Sequence, residues 1–440
     1  MPQVLHLTPQ EIDTPEKRSK YLVTIVGCRH KGILYANMFA DAGFNVVCTD
    51  ADASIVKRSA KGKTTPAMPE VEAKLKKHLN QEKINVTSEL KKTISQSDIV
   101  IITLTAKIDE QKKNNYTELV NTCKHIGAAL HSGTLVIYGG IAGVGFTEGI
   151  IKELLENTSG LKAGQDFGLA YSPLIPINTP TPQLELTVVA ASDTLSLSTA
   201  IVILKTLSGN IKEILGLKTA EIATLFTIAK QDVLLALTNE FAIFCENANT
   251  DYFKVLEALN LNMPCSRPTL VGEECDGAYL LLEDAENLNV KLRLSPLARQ
   301  INGDMVKHAI NLTQEALRSC DKTLRRGRVA ILGSSPARDL FINLIEQKGA
   351  KVTLYDPLAK KETQEPTTNI KTSLNETVEG ADCIIVLGGP EQLSRLNLKK
   401  IKSLMKPPAV VIDLAGKFDP KQMEIEGFLY FGLGRGTDQK

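Results

Sequence analysis

The sequence contains no long block of one charge sign: 51 basic and 50 acidic residues leave a formal net charge of +1. Without a basic stripe, neither nucleic acid nor an anionic membrane surface is an expected partner. No stretch approaches the ~20 consecutive apolar residues that cross a bilayer, and the N-terminal segment lacks the apolar run of a signal peptide. None of the eight cysteines (Cys28, Cys48, Cys123, Cys245, Cys265, Cys275, Cys320, Cys383) forms a Cys-x-x-Cys pair, which removes the zinc ribbon and the redox dithiol. The six histidines (His6, His30, His78, His125, His131, His308) show no metal-ligand spacing, so no metal site is expected. These absences fit a chain of the reducing cytoplasm. With 43% hydrophobic and 23% charged residues, the composition is that of a soluble globular protein, and its 440 residues exceed one ordinary core.

What is present is a strand-helix rhythm at both ends. Short apolar runs at Tyr21–Gly27, Asn45–Asp50, Asp98–Leu104 and Gly133–Tyr138 alternate with helical spacing, as in Ile33–Ala42. Such alternation implies a parallel sheet covered on both faces. From about Leu195 to Arg318 the pattern changes. Thr219–Asn247 reads as one long helix without internal Gly or Pro, Pro296–Leu317 as another, and Leu261–Gly277 as a loop. The rhythm restarts at Arg328–Gly333 and continues through Lys351–Asp356, Asp382–Leu387 and Ala409–Asp413. The predicted fold is α/β: a Rossmann domain over 1–198, a helical middle over 199–320, and a Rossmann-like domain over 321–440.

Gly27-Cys28-Arg29-His30-Lys31-Gly32 follows a strand and opens a helix, and Asp50 ends the next strand. That context suits a dinucleotide fingerprint. The first glycine makes the tight turn, the last lets helix and strand pack, and the helix N-terminus favours pyrophosphate. An acid at the tip of the second strand accepts hydrogen bonds from a ribose, which favours NAD over NADP. The middle glycine of the fingerprint is replaced by Arg29, which either pairs with a phosphate, closes the site, or is a solvated turn residue. His30 and Lys31 read as solvated, contributing backbone N–H groups. The loop carrying Gly139, Gly140, Gly143 and Gly145 reads as a flexible strand-to-helix connection, with backbone phosphate binding as the alternative. Asn239-Glu240 reads as a polar pair on the long helix, with ligand contact as the alternative.

Several stretches, in order along nearly the whole chain, resemble the UDP-glucose/UDP-N-acetylmannosamine dehydrogenase family. They are Gly62–Glu70, Ser159–Pro173, Ala220–Glu240, Ala298–Met305, Ile412-Asp413 and Gly427–Arg435. The resemblance implies NAD as cofactor, a nucleotide-sugar substrate, a C-terminal UDP-sugar-binding domain, and dimerisation on the central helix. The dimer is a homodimer, or a heterodimer with an active homologue. It also implies oxidation of the sugar C6 alcohol to a carboxylate through a cysteine adduct, and the nucleophile position falls on Cys275.

Several family positions are changed. The lysine position reads Thr224, the asparagine Ile228 and the glutamate Leu174. The aspartate after the nucleophile aligns with Tyr279, with Asp276 as a substitute only if the loop is shorter. The Pro-Thr pair reads Thr105-Ala106, the Glu-Ser-Thr run reads Tyr138-Gly139-Gly140, and an arginine near Asp413 reads Ala415. Glu273, Glu274 and Asp276 surround Cys275 with charge that raises a thiol pKa. Three readings stay open: a nucleotide-sugar dehydrogenase with a rebuilt site, a non-catalytic relative that binds NAD or a nucleotide sugar, and an NAD-dependent oxidoreductase for another small substrate.

Overall fold

The computed structural model describes residues 4–64, 68–109, 113–173, 187–258, 267–271, 276–357, 369–371, 373–389, 393 and 396–436. Cys275 and Leu174 lie outside the described residues. The chain divides into two compact units, residues 1–228 with 279–290, and residues 229–278 with 291–440.

In the first unit the apolar runs become strands. β1 (Leu22–Val26), β2 (Asn45–Thr49), β3 (Ile84–Thr87), β4 (Ile99–Ile102), β5 (Leu135–Tyr138), β6 (Gly168–Tyr171), β7 (Thr187–Ala191) and β8 (Ile211–Glu213) form one sheet. Their order is β3-β2-β1-β4-β5-β6-β7-β8, so direction along the sheet reverses at β1. Side-chain alternation explains the fully apolar strands, because both faces are covered. Ile25, Ile101 and Ile137 enter one core with Phe39 and Val46. Their neighbours Val26, Val100, Ile102 and Val136 enter the other with Leu119 and Leu155. The wholly parallel expectation needs one correction, since β7 pairs antiparallel with β6. β8 pairs parallel with β7, so these two edge strands both run against the other six; antiparallel pairing requires no crossover over the sheet, so the edge can reverse without disturbing the rest. Helix α1 (His30–Asp41) packs Ile33, Ala36, Phe39 and Ala40 inward. The loop after β5 leads through a π-helical turn at Thr147–Ile151 into α2 (Lys152–Ser159).

The middle of the chain is helical: α3 (Leu217–Asn247), α4 (Tyr252–Ala258), α5 (Asp276–Asn287) and α6 (Leu294–Arg318). Of the segment expected as a loop, 267–271 is irregular, whereas Asp276 and Gly277 already belong to α5. Among the described residues no helix is long and apolar enough to cross a membrane.

Within the second unit, α3 and α6 are joined by a buried polar chain. The Arg299 guanidinium pairs with both Asp232 oxygens. Asn302 Nδ2 donates to Asp232 Oδ1 at 2.8 Å, and Asn239 Nδ2 donates to Asn302 Oδ1 at 2.9 Å. Asn239 Oδ1 in turn accepts from Thr269 N at 3.1 Å. Asn239 is therefore a buried structural residue, while its neighbour Glu240 is exposed.

The second sheet comprises β9 (Arg328–Leu332), β10 (Lys351–Tyr355), β11 (Asn369–Ile370), β12 (Cys383–Val386), β13 (Val410–Asp413) and β14 (Leu429–Gly432). It is wholly parallel, ordered β11-β10-β9-β12-β13-β14, with α7 (Arg338–Gln347) following β9. The two sheets repeat one plan. Gly27 N donates to Thr49 O and Gly333 N to Tyr355 O, each at 2.8 Å, at equivalent first turns.

Candidate functional site

In open α/β sheets, ligands bind beyond the carboxyl ends of the strands where the order reverses. In the first unit that point lies between β1 and β4, and the Gly27–Gly32 turn leaves β1 there. Gly27 has φ of +105°, which favours glycine. A Cβ on Gly32 would lie 1.7 Å from the Gly27 carbonyl oxygen, so helix and turn touch backbone to backbone. Thr103 locks the corner by donating its hydroxyl to Val26 O at 3.0 Å and Gly27 O at 3.1 Å.

Asp50 is buried beside this turn. Its Oδ2 accepts from Cys28 N at 2.8 Å, and its Oδ1 accepts from Asp52 N at 2.9 Å. An ionised carboxylate has about four acceptor sites, so two of its own chain's N–H groups hold Asp50 in place without exhausting it. Cys28 is buried, and its thiol is pushed well above the ordinary range by the neighbouring Cys48 thiol and by burial. It contributes backbone to this turn, and its thiol stays neutral.

Arg29 caps α1 in an extended conformation (φ −77°, ψ −177°) with an exposed side chain. The backbone here therefore does not require the glycine that the fingerprint usually carries. His30 and Lys31, expected to be solvated, are both partly buried. Burial, and secondly Lys31, lower the His30 pKa, because desolvation disfavours the charged imidazolium. Gly27, Cys28, Arg29, His30, Lys31, Gly32 and Asp50 thus form one cluster at the reversal point. A close-packed glycine turn, a helix start and an acid at the next strand's tip together fit a dinucleotide.

Thr224 is buried on α3 and returns its hydroxyl to Ala220 O at 2.9 Å. Ile228 is partly buried and Lys230 is exposed. Tyr138 is fully buried, and burial raises its pKa well above the phenol range. In the second unit Asp413 is buried, accepting from Ala415 N, Phe418 N and the Tyr430 hydroxyl. Burial raises its pKa against those bonds. Sequence reasoning missed Arg267, whose Nη1 donates to Ala415 O at 3.3 Å and Gly416 O at 2.7 Å. A guanidinium therefore does reach the turn where the family arginine is absent, from a position 148 residues away in sequence.

Comparison with known proteins agrees with this geometry. Residues 21–176 match the NAD binding domain of the UDP-glucose/GDP-mannose dehydrogenase family, and residues 332–420 match its UDP binding domain. The chain is 26% identical over 434 residues to a UDP-N-acetyl-D-mannosamine dehydrogenase of Pyrococcus horikoshii, covering 94% of this chain and 99% of that protein. It is 22% identical to a UDP-glucose 6-dehydrogenase of Bacillus subtilis, covering 94% and 93%. The solved structure of UDP-N-acetyl-D-mannosamine dehydrogenase from P. horikoshii superposes with a TM-score of 0.76 at 25% identity, covering 94% of this chain and 99% of that one. A UDP-glucose dehydrogenase from Pyrobaculum islandicum has the same fold, with a TM-score of 0.77 at 18% identity and coverage of 94% and 98%. The chain belongs to the UDP-glucose/GDP-mannose dehydrogenase family, and its N-terminal domain is that family's NAD-binding domain.

Proposed function

We propose that the chain is an NAD-dependent dehydrogenase of a nucleotide sugar, oxidising the sugar C6 alcohol to a carboxylate. The observation that carries this reading is the packed Gly27–Gly32 turn with Asp50 held at the tip of β2. Two NAD molecules, bound in turn, would each accept one of the two hydrides lost. The N-terminus of α1 would hold the pyrophosphate, Arg29 would pair with a phosphate oxygen, and Asp50 would accept from a ribose hydroxyl. The Cys275 thiolate adds to the carbonyl carbon of the aldehyde formed by the first hydride loss. A second hydride loss leaves a thioester, which water cleaves to the carboxylate and the free thiol. In this division of labour, residues 1–198 serve the cofactor, 321–440 the nucleotide sugar, and 199–320 self-association.

Thr224 and Ile228 offer neither an ammonium nor an amide, and Leu174 offers no carboxylate. Each such loss typically costs 10²–10⁴-fold in rate, so turnover is expected to be slow. The test is NADH absorbance from concentrated protein with NAD and a panel of UDP-sugars, with Cys275→Ser alongside. NADH formation that disappears in the variant is the expected result. No NADH from folded protein that binds NAD overturns the dehydrogenase reading in favour of a non-catalytic nucleotide-binding relative.

A homodimer belongs to the same proposal. Phe226 (60% exposed), Leu237, Phe241 and Phe244 (72%) are large apolar side chains left open on α3. Their spacing returns to one side of a helix. Sedimentation at micromolar concentration is expected to give the mass of two chains, and a single-chain mass would remove the proposal.

A further inference from the structure

The glycine loop between β5 and α2 has no part in the chemistry just described, yet it is among the most heavily tethered segments of the first unit. Gly145 N donates to Glu221 Oε2 at 2.5 Å and Thr147 N to Glu221 Oε1 at 2.8 Å. Val144 N donates to Asp284 Oδ2 at 2.8 Å, and Gly143 N to the Tyr116 hydroxyl at 3.2 Å. Successive backbone N–H groups thus make the anion-binding concavity that such loops are known for, and the chain's own carboxylates fill it. The loop is a clamped rim, which corrects the expectation of a flexible connection. The approach is close enough to dictate sequence at Gly140, where a Cβ would lie 2.0 Å from the Leu104 backbone oxygen. The π-helical turn that follows, at Thr147–Ile151, is a feature often found at functional sites.

Position gives the clamp its consequence. Gly139 N donates to Ile102 O at 2.8 Å and Ala106 N to Ile141 O at 3.1 Å, which joins the loops leaving β4 and β5. They lie at the carboxyl edge of the sheet, across β1 from Asp50. When the ribose held by Asp50 marks the adenosine half, the other half of a dinucleotide lies over β4 and β5.

We propose that Glu221 and Asp284 are positioning residues that hold the 139–147 loop as a preformed rim for the nicotinamide half of bound NAD. The inference rests on the NAD reading above. Glu221 uses both oxygens, so an ionised carboxylate is required; glutamine has one acceptor and would turn an NH₂ group toward a backbone N–H. Losing a charge-assisted clamp leaves the loop to sample other conformations, and NAD then binds only the competent fraction.

The clamp also carries a pH signature. Glu221 is faced by Thr147 from the loop, Asp284 from α5, Tyr138 from β5 and Tyr171 from β6, with no cation among these neighbours. Burial raises the Glu221 pKa above the usual carboxylate value, the Thr147 and Gly145 bonds oppose this, and Asp284 adds to it. Asp284 is raised likewise, first by burial. The clamp is complete above the folded pKa and is lost as pH falls through it, at a pH where an exposed glutamate would still be ionised.

The test uses the full chain, with NAD affinity measured by calorimetry from neutral to mildly acidic pH. Amide exchange across 143–147 is followed in parallel without cofactor. Glu221→Gln is expected to weaken NAD about tenfold at neutral pH, to expose the loop amides to exchange, and to reduce the acid-side fall in affinity expected of wild type to the part that Asp284 carries. His30 is unchanged in that variant, so its titration cancels in the comparison. Asp284→Asn is expected to act in the same direction and guards against misfolding of the first variant. Wild-type affinity and pH dependence retained in both variants would overturn the positioning role. Wild-type protein that binds no NAD would overturn the cofactor reading and this role with it, whatever the loop amides do.

Discussion

Replacing Gly32 by alanine is expected to destabilise the N-terminal domain and abolish cofactor binding together. The added Cβ would sit 1.7 Å from Gly27 O and 2.9 Å from Gly27 C, both backbone atoms, and 3.0 Å from Thr103 Oγ1. No side-chain rotation relieves a clash between backbones, so the turn or α1 must move. Overpacking of this kind costs about 3 kcal/mol or more. The displaced turn carries Cys28 N away from Asp50, and NADH affinity is expected to fall about 100-fold or more, about 2.7 kcal/mol. Urea unfolding checks the first effect, and a calorimetric titration of NADH checks the second. A Gly32→Ala protein with wild-type stability would mean that the turn is not packed as described.

A second large effect is expected at the pair joining α3 and α6. Asp232 is 5% exposed and Arg299 is 9% exposed. Asp232→Ala takes the carboxylate from a buried guanidinium and also removes an acceptor from Asn302. Breaking a buried ion pair from one side costs about 3–5 kcal/mol, because the remaining charge stays desolvated. Arg299→Met alone is expected to cost a similar amount. The double variant Asp232→Ala with Arg299→Met is expected to lose clearly less than the two single changes combined, since it leaves no buried charge. Denaturant midpoints of the four proteins decide this, and additive losses would show that the two groups do not act as a pair. The network also ends on Thr269 N, which donates to Asn239.

Local physics made much of this legible in the sequence. Ile99–Ile102 had to be a strand buried on both faces, and its side chains do alternate between two cores. Gly27 and Gly32 announced a close turn because no other residue fits there, and Asp50 followed at the strand tip as the pattern requires. The long helix and the repeated C-terminal plan were equally readable from periodicity.

What could not be read depends on distant partners. Glu221 lies 76 residues from Gly145, and Asp284 lies 140 from Val144. Nothing near Gly143 or Gly145 in sequence says that the loop's N–H groups are already satisfied, so glycine content alone suggested flexibility. Arg267 reaches Gly416 in the same hidden way. His30 looked like a surface turn residue because its partial burial leaves no local trace in the sequence. The reversed pair β7 and β8 was equally silent, since strand direction is set by the connection and not by strand composition.

The measurement that bears most directly on the whole account is a calorimetric titration of NADH into the folded wild-type chain at neutral pH. The account predicts saturable binding with one site per chain, lost in Gly32→Ala. Folded protein that gives no binding would contradict it, because the Gly27–Gly32 turn and Asp50 would then be only a corner of the fold.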